Sequence, residues 1–229
     1  MGRRGRAADR DRASVTARVP PRPDLPSADS FETLVRWRRD VRRFKPDAVV
    51  PELLTRLLGV ADLAPSVGNS QPWRIVRVES AGLRAAARAS FEAANAAARE
   101  GYDGERRVQY QALKLAGFDA APVHLAVFCD PDPAQGHGLG RQTQAETLDH
   151  SCAGMVTVLW LAARTHGLGL GWVSILDPAE LTRRLDVPGE WRFIGYVLMG
   201  YPVEEHEDPE LARAGWQART GAAGRLIVR

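Results

Sequence analysis

Three stretches of the chain repeat apolar residues at the three- and four-residue spacing of an amphipathic helix. The first begins at Asp29, which has the pattern of an N-cap with an acid three residues later, and is predicted to end near Asp40. Pro51 opens the second helix, whose apolar face extends to Ala61. Residues 144–166 form the longest stripe and are predicted to be the central core helix. That stripe consists of Leu148, Cys152, Met155, Val156, Leu159 and Ala163.

Shorter apolar runs, rich in β-branched residues, predict about four strands. These runs are residues 74–79, 123–129, the segment after the glycine-rich turn at 167–171, and 193–199. Weaker helical patterns cover residues 82–100 and 105–117, and Asp177 begins a short helix. Because the strands do not alternate regularly with the helices, the order favours an α+β fold over a doubly wound sheet.

The composition separates the start of the chain from the rest of its 229 residues. Residues 1–28 are rich in Arg, Pro, Ala and Asp and contain no apolar stretch, so we expect a disordered basic tail and not a secretory signal. Residues 29–229 are then expected to form one folded domain. Cys129 and Cys152 lie in apolar stretches and are expected to be buried free thiols in a cytoplasmic protein.

Charge and motif content exclude several classes of function. The formal net charge is +3, but the basic tail has no interleaved aromatic residues, so we expect no nucleic-acid partner. No apolar run approaches the roughly 18 residues of a membrane span, so no membrane partner is expected either. The five histidines fit no metal-binding spacing, and we expect no metal.

The segment WRRDVRRF, residues 37–44, places one acid, Asp40, among four arginines. If the helix continues, Arg38 and Arg42 share one face and could hold a phosphate with two guanidinium forks. The alternative is a solvated helix face on which Asp40 is a salt-bridge partner, and in that case the pKa of Asp40 would fall. The residues alone leave both interpretations open.

Two other stretches could contribute to a binding site. The loop at 65–73 gathers Ser, Asn and Gln side chains suited to a polyol or the polar edge of a heterocycle, although its prolines are also ordinary turn chemistry. The glycine run at 167–171 follows a helix and precedes a strand, which is the reverse of the dinucleotide-binding order. Its glycines could still bring backbone close to a flat ligand, beside the hydroxyl of Ser174.

Together these stretches resemble the flavin-dependent nitroreductase superfamily over about residues 30–220. The chain is most similar to the flavin-destroying branch, because it carries Asp40 where general nitroreductases usually carry Ser or Thr, and Ser174 after Gly-Trp-Val. Asn69-Ser70 and residues 142–145 differ from that branch. The resemblance rests on Arg38–Arg42, Ala64–Gly68, Gln71–Trp73, Leu113–Leu115, Leu139–Arg141, Trp160–Arg164, Gly171–Ile175 and Pro209–Ala212.

The resemblance implies a central, mainly antiparallel sheet flanked by helices, in an interlocked homodimer that binds FMN at the subunit interface. Residues 82–104 would form a lid, and residues 208–229 a C-terminal arm. The implied activity is oxygen-dependent fragmentation of reduced FMN to 5,6-dimethylbenzimidazole and erythrose 4-phosphate, with a separate flavin reductase as a possible partner. The alternatives are an NAD(P)H-dependent oxidoreductase that retains its FMN, and a non-catalytic flavin-binding protein.

The resemblance also implies roles for individual residues. Arg38 and Arg42, together with Arg219, would hold the FMN phosphate. Asp40 would transfer a proton near the ribityl chain, and Ser174 would orient that carboxyl group or bind the ring. The residues expected to contact FMN are Arg38, Arg39, Asp40, Val41, Arg42, Ser66, Gly68, Gln71, Gly171, Ser174 and Arg219.

Overall fold

The computed structural model describes residues 25–222 and 224–229. Its centre is a four-stranded sheet in which all neighbouring strands are antiparallel, in the order β1-β2-β4-β3. The strands are β1 (Trp73–Arg77), β2 (Val123–Cys129), β3 (Gly169–Val173) and β4 (Arg192–Gly200). The α-helices are α1 (Ala28–Trp37), α2 (Pro51–Ala61), α3 (Ala81–Glu100), α4 (Gly104–Ala112), α5 (Thr147–Arg164), α6 (Pro178–Arg184) and α7 (Glu210–Arg213). The predicted α+β class and antiparallel sheet are confirmed, whereas most of the predicted tail, residues 1–24, lies outside the described residues.

The central strand β2 is buried on both faces because its side chains alternate between two cores. Leu125 and Val127 belong to the core that α2 and α5 cover, and Ala126 and Phe128 belong to the core that α3 and α6 cover. All six residues of the predicted α5 stripe are buried, so α5 is the core helix that the spacing predicted. Helices therefore flank the sheet on both sides.

Helix α1 begins and ends earlier than its sequence pattern predicts. Its N-cap is Ser27, whose side chain accepts a hydrogen bond from the amide of Ser30, and not Asp29. It ends at Trp37, and Arg38 is already extended with φ −73° and ψ 108°. The predicted end near Asp40 is wrong because the following residues pair with the sheet, and this tertiary pairing overrides local helix propensity.

The segment after α1 runs in extended conformation along β3. Asp40 bridges Leu170 in parallel, and the amide of Val41 donates a hydrogen bond of 2.8 Å to the carbonyl of Leu170. Further along, Phe44 forms an antiparallel bridge with Pro202. Residues 37–44, which we name the arginine segment, are therefore fixed at the edge of the sheet, beside β3.

The predicted helix at 105–117 ends at Ala112 instead. The residues that follow it pass close to the arginine segment. A Cβ atom on Gly117 would lie 2.8 Å from the carbonyl oxygen of Arg42 and would overlap the ring of Phe44. The chain turns extended at Leu113, and residues 113–117 are not helical, which brings Gly117 against the arginine segment.

The apolar stripe of α1 is only partly covered by the rest of the described chain, since Leu34 is half-buried near α5 while its neighbours are exposed. Helix α1 buries none of its residues, and the side chains of Phe31, Val35 and Trp37 are 55%, 41% and 38% exposed. A row of large apolar side chains in this state is typical of a surface that binds another molecule.

The two cysteines are free and buried, as predicted. Within the described part of the chain, no helix combines the length and the apolar character that crossing a membrane requires.

The glycine run in β3 allows the arginine segment to lie directly on the strand. A Cβ atom on Gly169 would overlap the side chain of Val41, and one on Gly171 would overlap the carbonyl oxygen of Val41. These glycines were expected to bring backbone close to a flat ligand. In the structure they bring it close to the chain's own segment at residues 40–41.

We predict that Gly171→Ala destabilises the fold by about 1–3 kcal/mol, because the new methyl group must displace backbone and not a flexible side chain. The matched control is Gly59→Ala in α2, where a Cβ atom has open space. The control should stabilise the protein by about 0.5–1 kcal/mol, since alanine is the better helix residue. Chemical denaturation of both variants measures the two effects. Equal stability of the two variants would contradict the packing described above.

Candidate functional site

The arginine segment lines two adjoining clefts on the surface of the chain. The arginine cleft, as we name the first, is lined by Arg38, Arg39, Asp40, Arg42, Pro209, Glu210, Leu211 and Arg219. The second cleft continues along residues 37–43 to the end of α5 and to the acidic segment at 204–210. Five of the residues predicted to contact a cofactor, Arg38, Arg39, Asp40, Arg42 and Arg219, are therefore brought together here.

Most arginines near the clefts already have carboxylate partners. The ion pairs are Arg36 with Glu207 at 3.3 Å, Arg42 with Asp40 at 2.7 Å, Arg43 with Glu204 and Glu210 at 3.0 and 2.9 Å, and Arg164 with Glu205 at 2.9 Å. Arg38, Arg39 and Arg219 form no ion pair with any carboxylate among the described residues. Arg39 donates to the backbone carbonyls of Glu207 and Arg38, and Arg38 lies over the ring of Trp160, so within the described residues neither charge is neutralised by a carboxylate contact.

These three guanidinium groups also repel one another. Burial lowers the pKa of Arg38, and the neighbouring charge of Arg219 lowers it further, although Asp40 opposes the shift. Burial also lowers the pKa of Arg39, with additional contributions from Arg38 and Arg219. A group of like charges in this state favours a bound dianion, which would neutralise the repulsion and accept charge-assisted hydrogen bonds.

Asp40 is held at both carboxylate oxygens. Its Oδ2 accepts a hydrogen bond of 2.7 Å from Nε of Arg42, and its Oδ1 accepts one of 3.1 Å from the amide of Trp172. Burial raises the pKa of Asp40 and outweighs both of these partners, which lower it. The expectation that a salt bridge would lower the pKa of Asp40 is therefore wrong, because the loss of solvation is the larger effect. The result is a fixed carboxyl group that retains its proton more readily than an ordinary aspartate.

Arg42 is engaged within the chain. Its side chain is only 10% exposed, and its Nη1 donates a hydrogen bond of 2.7 Å to the carbonyl of Lys114. The idea that Arg42 shares a helix face with Arg38 is wrong, because α1 ends before both residues. Arg42 instead holds Asp40 and the segment near Lys114 in place. Arg38 and Arg42 are therefore not neighbours on a helix.

Three predicted cofactor contacts, Ser66, Gly68 and Gln71, lie on the loop at 65–73 and line neither cleft. The hydroxyl of Ser66 accepts a hydrogen bond of 3.0 Å from the amide of Gln71. Gly68 has a left-handed backbone (φ 58°), and a Cβ atom there would lie 2.9 Å from the carbonyl oxygen of Leu139. The loop is thus shaped by contacts with its own chain.

The loop and the arginine segment contact different parts of α5. Ser151 accepts a hydrogen bond of 3.1 Å from the amide of Val67 in the loop, whereas the indole of Trp160 donates one of 3.2 Å to the carbonyl of Arg39. Nine residues of helix separate these two points, which is about 13 Å along the axis. The two predicted parts of the site are therefore apart within one chain.

The remaining predicted residues lie on or beside β3. Val41 and Gly171 pack against each other, and Gly171 is buried. Ser174 follows the end of β3, is exposed, and lines neither cleft. The predicted contacts of Gly171 and Ser174 with a cofactor remain predictions.

Sequence reasoning missed three partners of the arginine segment. The guanidinium of Arg38 lies 4.8 Å from the ring centre of Trp160, the amide of Trp172 binds Asp40, and the segment at 204–210 pairs the other arginines. The acidic segment had a visible signal, since a run of acids complements a run of arginines. The amide of Trp172 is a backbone group and leaves no signal in the sequence.

Comparison with known proteins gives consistent matches. Residues 35–201 match the model of the nitroreductase family. A protein named 5,6-dimethylbenzimidazole synthase from Rhodospirillum rubrum is 53% identical over 83% of this chain and 90% of its own length. One of the same name from Rhodobacter capsulatus is 50% identical over 82% of this chain and 91% of its own length.

Solved structures agree on the fold. Oxidized iodotyrosine deiodinase bound to FMN and 3-iodo-L-tyrosine is similar with a TM-score of 0.67 and 26% identity, over 86% of this chain and 97% of that chain. A nitroreductase with bound FMN from Desulfitobacterium hafniense has a TM-score of 0.58 at 24% identity, over 76% of this chain and 89% of that chain.

We predict that Arg42→Met destabilises the protein by about 1–3 kcal/mol at neutral pH, because it leaves the carboxylate of Asp40 without its strongest partner. Without Arg42 the pKa of Asp40 rises further above its unfolded value. The destabilisation should therefore grow as the pH rises and shrink as Asp40 becomes protonated at lower pH. Denaturation curves at several pH values measure this.

Two further variants complete that experiment. Adding Asp40→Asn to Arg42→Met should restore part of the stability and remove the pH dependence, since the half-buried carboxylate is then absent. Arg36→Ala, which removes an exposed ion pair, should change stability by less than about 1 kcal/mol. A pH-independent loss in Arg42→Met would contradict the proposed charge interaction.

Proposed function

The chain belongs to the nitroreductase family, and from this premise we propose that it is a 5,6-dimethylbenzimidazole synthase that uses reduced FMN and dioxygen. The proposal is supported by two relatives of that name at 53% and 50% identity, each matched over most of both chains. The structural observation that carries it is Asp40, a carboxyl group of raised pKa held beside guanidinium groups that lack carboxylate partners.

The residues of the arginine cleft fit the phosphate of FMN. Arg38, Arg39 and Arg219 present guanidinium groups without carboxylate partners among the described residues, and arginine forks match phosphate oxygens in geometry and charge. No group of His, Cys, Asp and Glu suited to a metal ion occurs in the part of the chain that the structure describes. FMN, when bound and reduced, supplies the electrons that activate dioxygen and is itself fragmented.

Each protein group then has a distinct task. Arg38, Arg39 and Arg219 hold the phosphate, while Arg42 and the amide of Trp172 hold Asp40. This division refines the expectation that Arg42 holds the phosphate, because Asp40 already neutralises the charge of Arg42. Arg39 also donates from its Nε and Nη1, to the carbonyls of Glu207 and Arg38, but it has no carboxylate partner among the described residues. Asp40, whose pKa is raised, moves a proton at its carboxyl oxygens near the ribityl chain.

The active protein is a homodimer in this proposal. The exposed apolar stripe of α1 supplies a surface for a second copy. The loop at 65–73 of one copy, with Ser66, Gly68 and Gln71, then completes the flavin site of the other. The loop and the arginine segment contact α5 at Ser151 and Trp160, two points about 13 Å apart along the helix axis, and this separation supports the arrangement.

We retain two further roles in the proposal: residues 82–104 form a lid, and Ser174 orients Asp40 or binds the flavin ring. Helix α3 spans most of residues 82–104, and its Ser90 hydroxyl accepts a hydrogen bond of 3.0 Å from the amide of Asp177. Asp177 lies three residues after Ser174, so α3 and the Ser174 segment are mechanically linked. Because Ala87 and Ser90 anchor α3 in the core, we assign the lid role to the part of the segment after residue 91, whose closing over the flavin would exclude water from the reaction.

We predict that the protein, mixed with chemically reduced FMN in air, consumes the flavin and yields 5,6-dimethylbenzimidazole. Asp40→Asn should bind FMN normally and lose product by about 10²–10⁴-fold, the usual contribution of a positioned acid or base. Asp47→Asn, which changes an exposed acid outside both clefts, is the matched control and should keep full activity. Chromatography of the benzimidazole measures the yield.

The same reaction separates the alternatives. Simple return of yellow FMN, with no benzimidazole, would contradict the proposal and favour an oxidoreductase that retains its flavin. A protein named NADH dehydrogenase from Thermus thermophilus is 29% identical over 79% of this chain and 90% of its own length. The alternative in which the flavin is retained is therefore tested in the same experiment. Product formation at the normal rate by Asp40→Asn would remove Asp40 from the mechanism.

We also predict that Arg38→Ala weakens FMN affinity by about 10- to 100-fold, the loss expected for one charged hydrogen-bonding group on a phosphate. Arg43→Ala is the control, because Arg43 is already neutralised by Glu204 and Glu210. Its FMN affinity should be close to that of the unmodified protein. Quenching of flavin fluorescence on binding measures both affinities, and equal losses in the two variants would refute the phosphate role of Arg38.

A further inference from the structure

The C-terminal arm carries Arg219 to the arginine cleft, although beyond residue 212 the arm has little contact with the rest of the described chain. Among the described residues from 213 to 229, Trp216 is the only one that is not exposed. Arg225, near the end of the arm, bonds only to Thr220 and Ala222, which are parts of the same arm. The position of Arg219 must therefore be set by whatever holds Trp216.

Trp216 is held by an aromatic cluster at the corner between α3 and α4. Its ring lies edge-on to the rings of Tyr102 and Tyr110, at centroid distances of 5.4 and 6.0 Å. The guanidinium of Arg106 lies 5.0 Å from the indole centre and donates a hydrogen bond of 3.1 Å to the carbonyl of Trp216. Edge-on aromatic pairs and cation–π contacts each stabilise such a position.

The corner that receives Trp216 is itself well ordered by contacts. The rings of Tyr102 and Tyr110 stack at 4.9 Å, and the hydroxyl of Tyr110 donates a hydrogen bond of 2.7 Å to Asn95 in α3. Tyr102 belongs to the segment 82–104 that we propose as a lid. The arm and the lid are therefore joined through one indole ring.

The backbone ties Trp216 to the arginine cleft as well. The amide of Trp216 donates a hydrogen bond of 2.9 Å to the carbonyl of Leu211, and Leu211 lines the cleft together with Arg219. Arg219 is the third residue after Trp216, so their Cα atoms are at most about 11 Å apart. A displacement of Trp216 would thus displace Arg219 from Arg38 and Arg39.

We propose that Trp216 is a positioning residue for the FMN phosphate, which it serves by fixing the arm to Tyr102, Tyr110 and Arg106 so that Arg219 stays in the arginine cleft. This inference rests on the proposed binding of FMN in that cleft. It goes further in naming a residue that does not itself line the cleft and acts through Arg219. It also couples occupation of the phosphate site to the position of the α3–α4 corner.

The test compares FMN with riboflavin, which has the same ring and ribityl chain but no phosphate. Trp216→Ala should weaken FMN affinity by about tenfold, the effect of losing one charged contact, and leave riboflavin affinity unchanged. In an Arg219→Ala background, Trp216→Ala should cause no further loss, because the residue through which it acts is already absent. Trp216→Phe should restore most of the FMN affinity, since a phenyl ring can still enter the cluster.

The matched control is Val108→Ala, which changes an exposed residue on α4 and should alter neither affinity. A loss of riboflavin affinity equal to that of FMN, or additive losses in the double variant, would overturn the inference and indicate a general structural role. Unchanged FMN affinity in Trp216→Ala would overturn it as well. If the unmodified protein binds riboflavin as tightly as FMN, the proposal that the arginine cleft binds the FMN phosphate is refuted. The inference about Trp216 depends on that proposal and is then refuted as well.

Discussion

The contact between the carboxylate of Asp40 and strand β3 determines the arrangement of the site. Asp40 accepts hydrogen bonds from the amide of Trp172 and from Arg42, and its backbone bridges Leu170 in the same strand. This contact requires glycine at position 171, because any side chain there would overlap the arginine segment. Since the segment is extended and not helical, its arginines point in different directions and can have different partners.

Charge pairing then divides the arginines into two groups. The acidic segment at 204–210 neutralises Arg36, Arg43 and Arg164, whereas Asp40 neutralises Arg42. Of the guanidinium groups that line the arginine cleft, only those of Arg38, Arg39 and Arg219 have no carboxylate partner among the described residues. The number of arginines in the sequence therefore overstates the charge available to a ligand, and the pairing decides which of them can bind a phosphate.

The sequence predicts those features of the fold that depend on local periodicity. The bounds of β2 and the buried stripe of α5 follow from apolar spacing, because the positions that face a hydrophobic core must be apolar. The end of α1 does not, since the residues after Trp37 leave the helix to pair with β3, which lies over 130 positions further along the chain. The direction in which the pKa of Asp40 is shifted could be found only from the structure, because the sequence around a residue does not show how far the residue is buried. The candidate site was found by its residue types, but the task of Arg42 was assigned only from its contacts.

The conformation of the loop at 65–73 bears on where its side chains act. Asn69 and Gln71 both have left-handed backbones, with φ of 54° and 44°, and such conformations cost of order 1–3 kcal/mol each in non-glycine residues. The hydroxyl of Ser66 accepts a hydrogen bond from the amide of Gln71, and that of Ser151 accepts one from the amide of Val67, which together hold the loop. Strain maintained in this way is typical of functional sites, yet the loop lines neither cleft of its own chain. The loop is therefore shaped in advance at a position separate from the clefts of its own arginine segment, which is consistent with the proposal that a second copy completes the site.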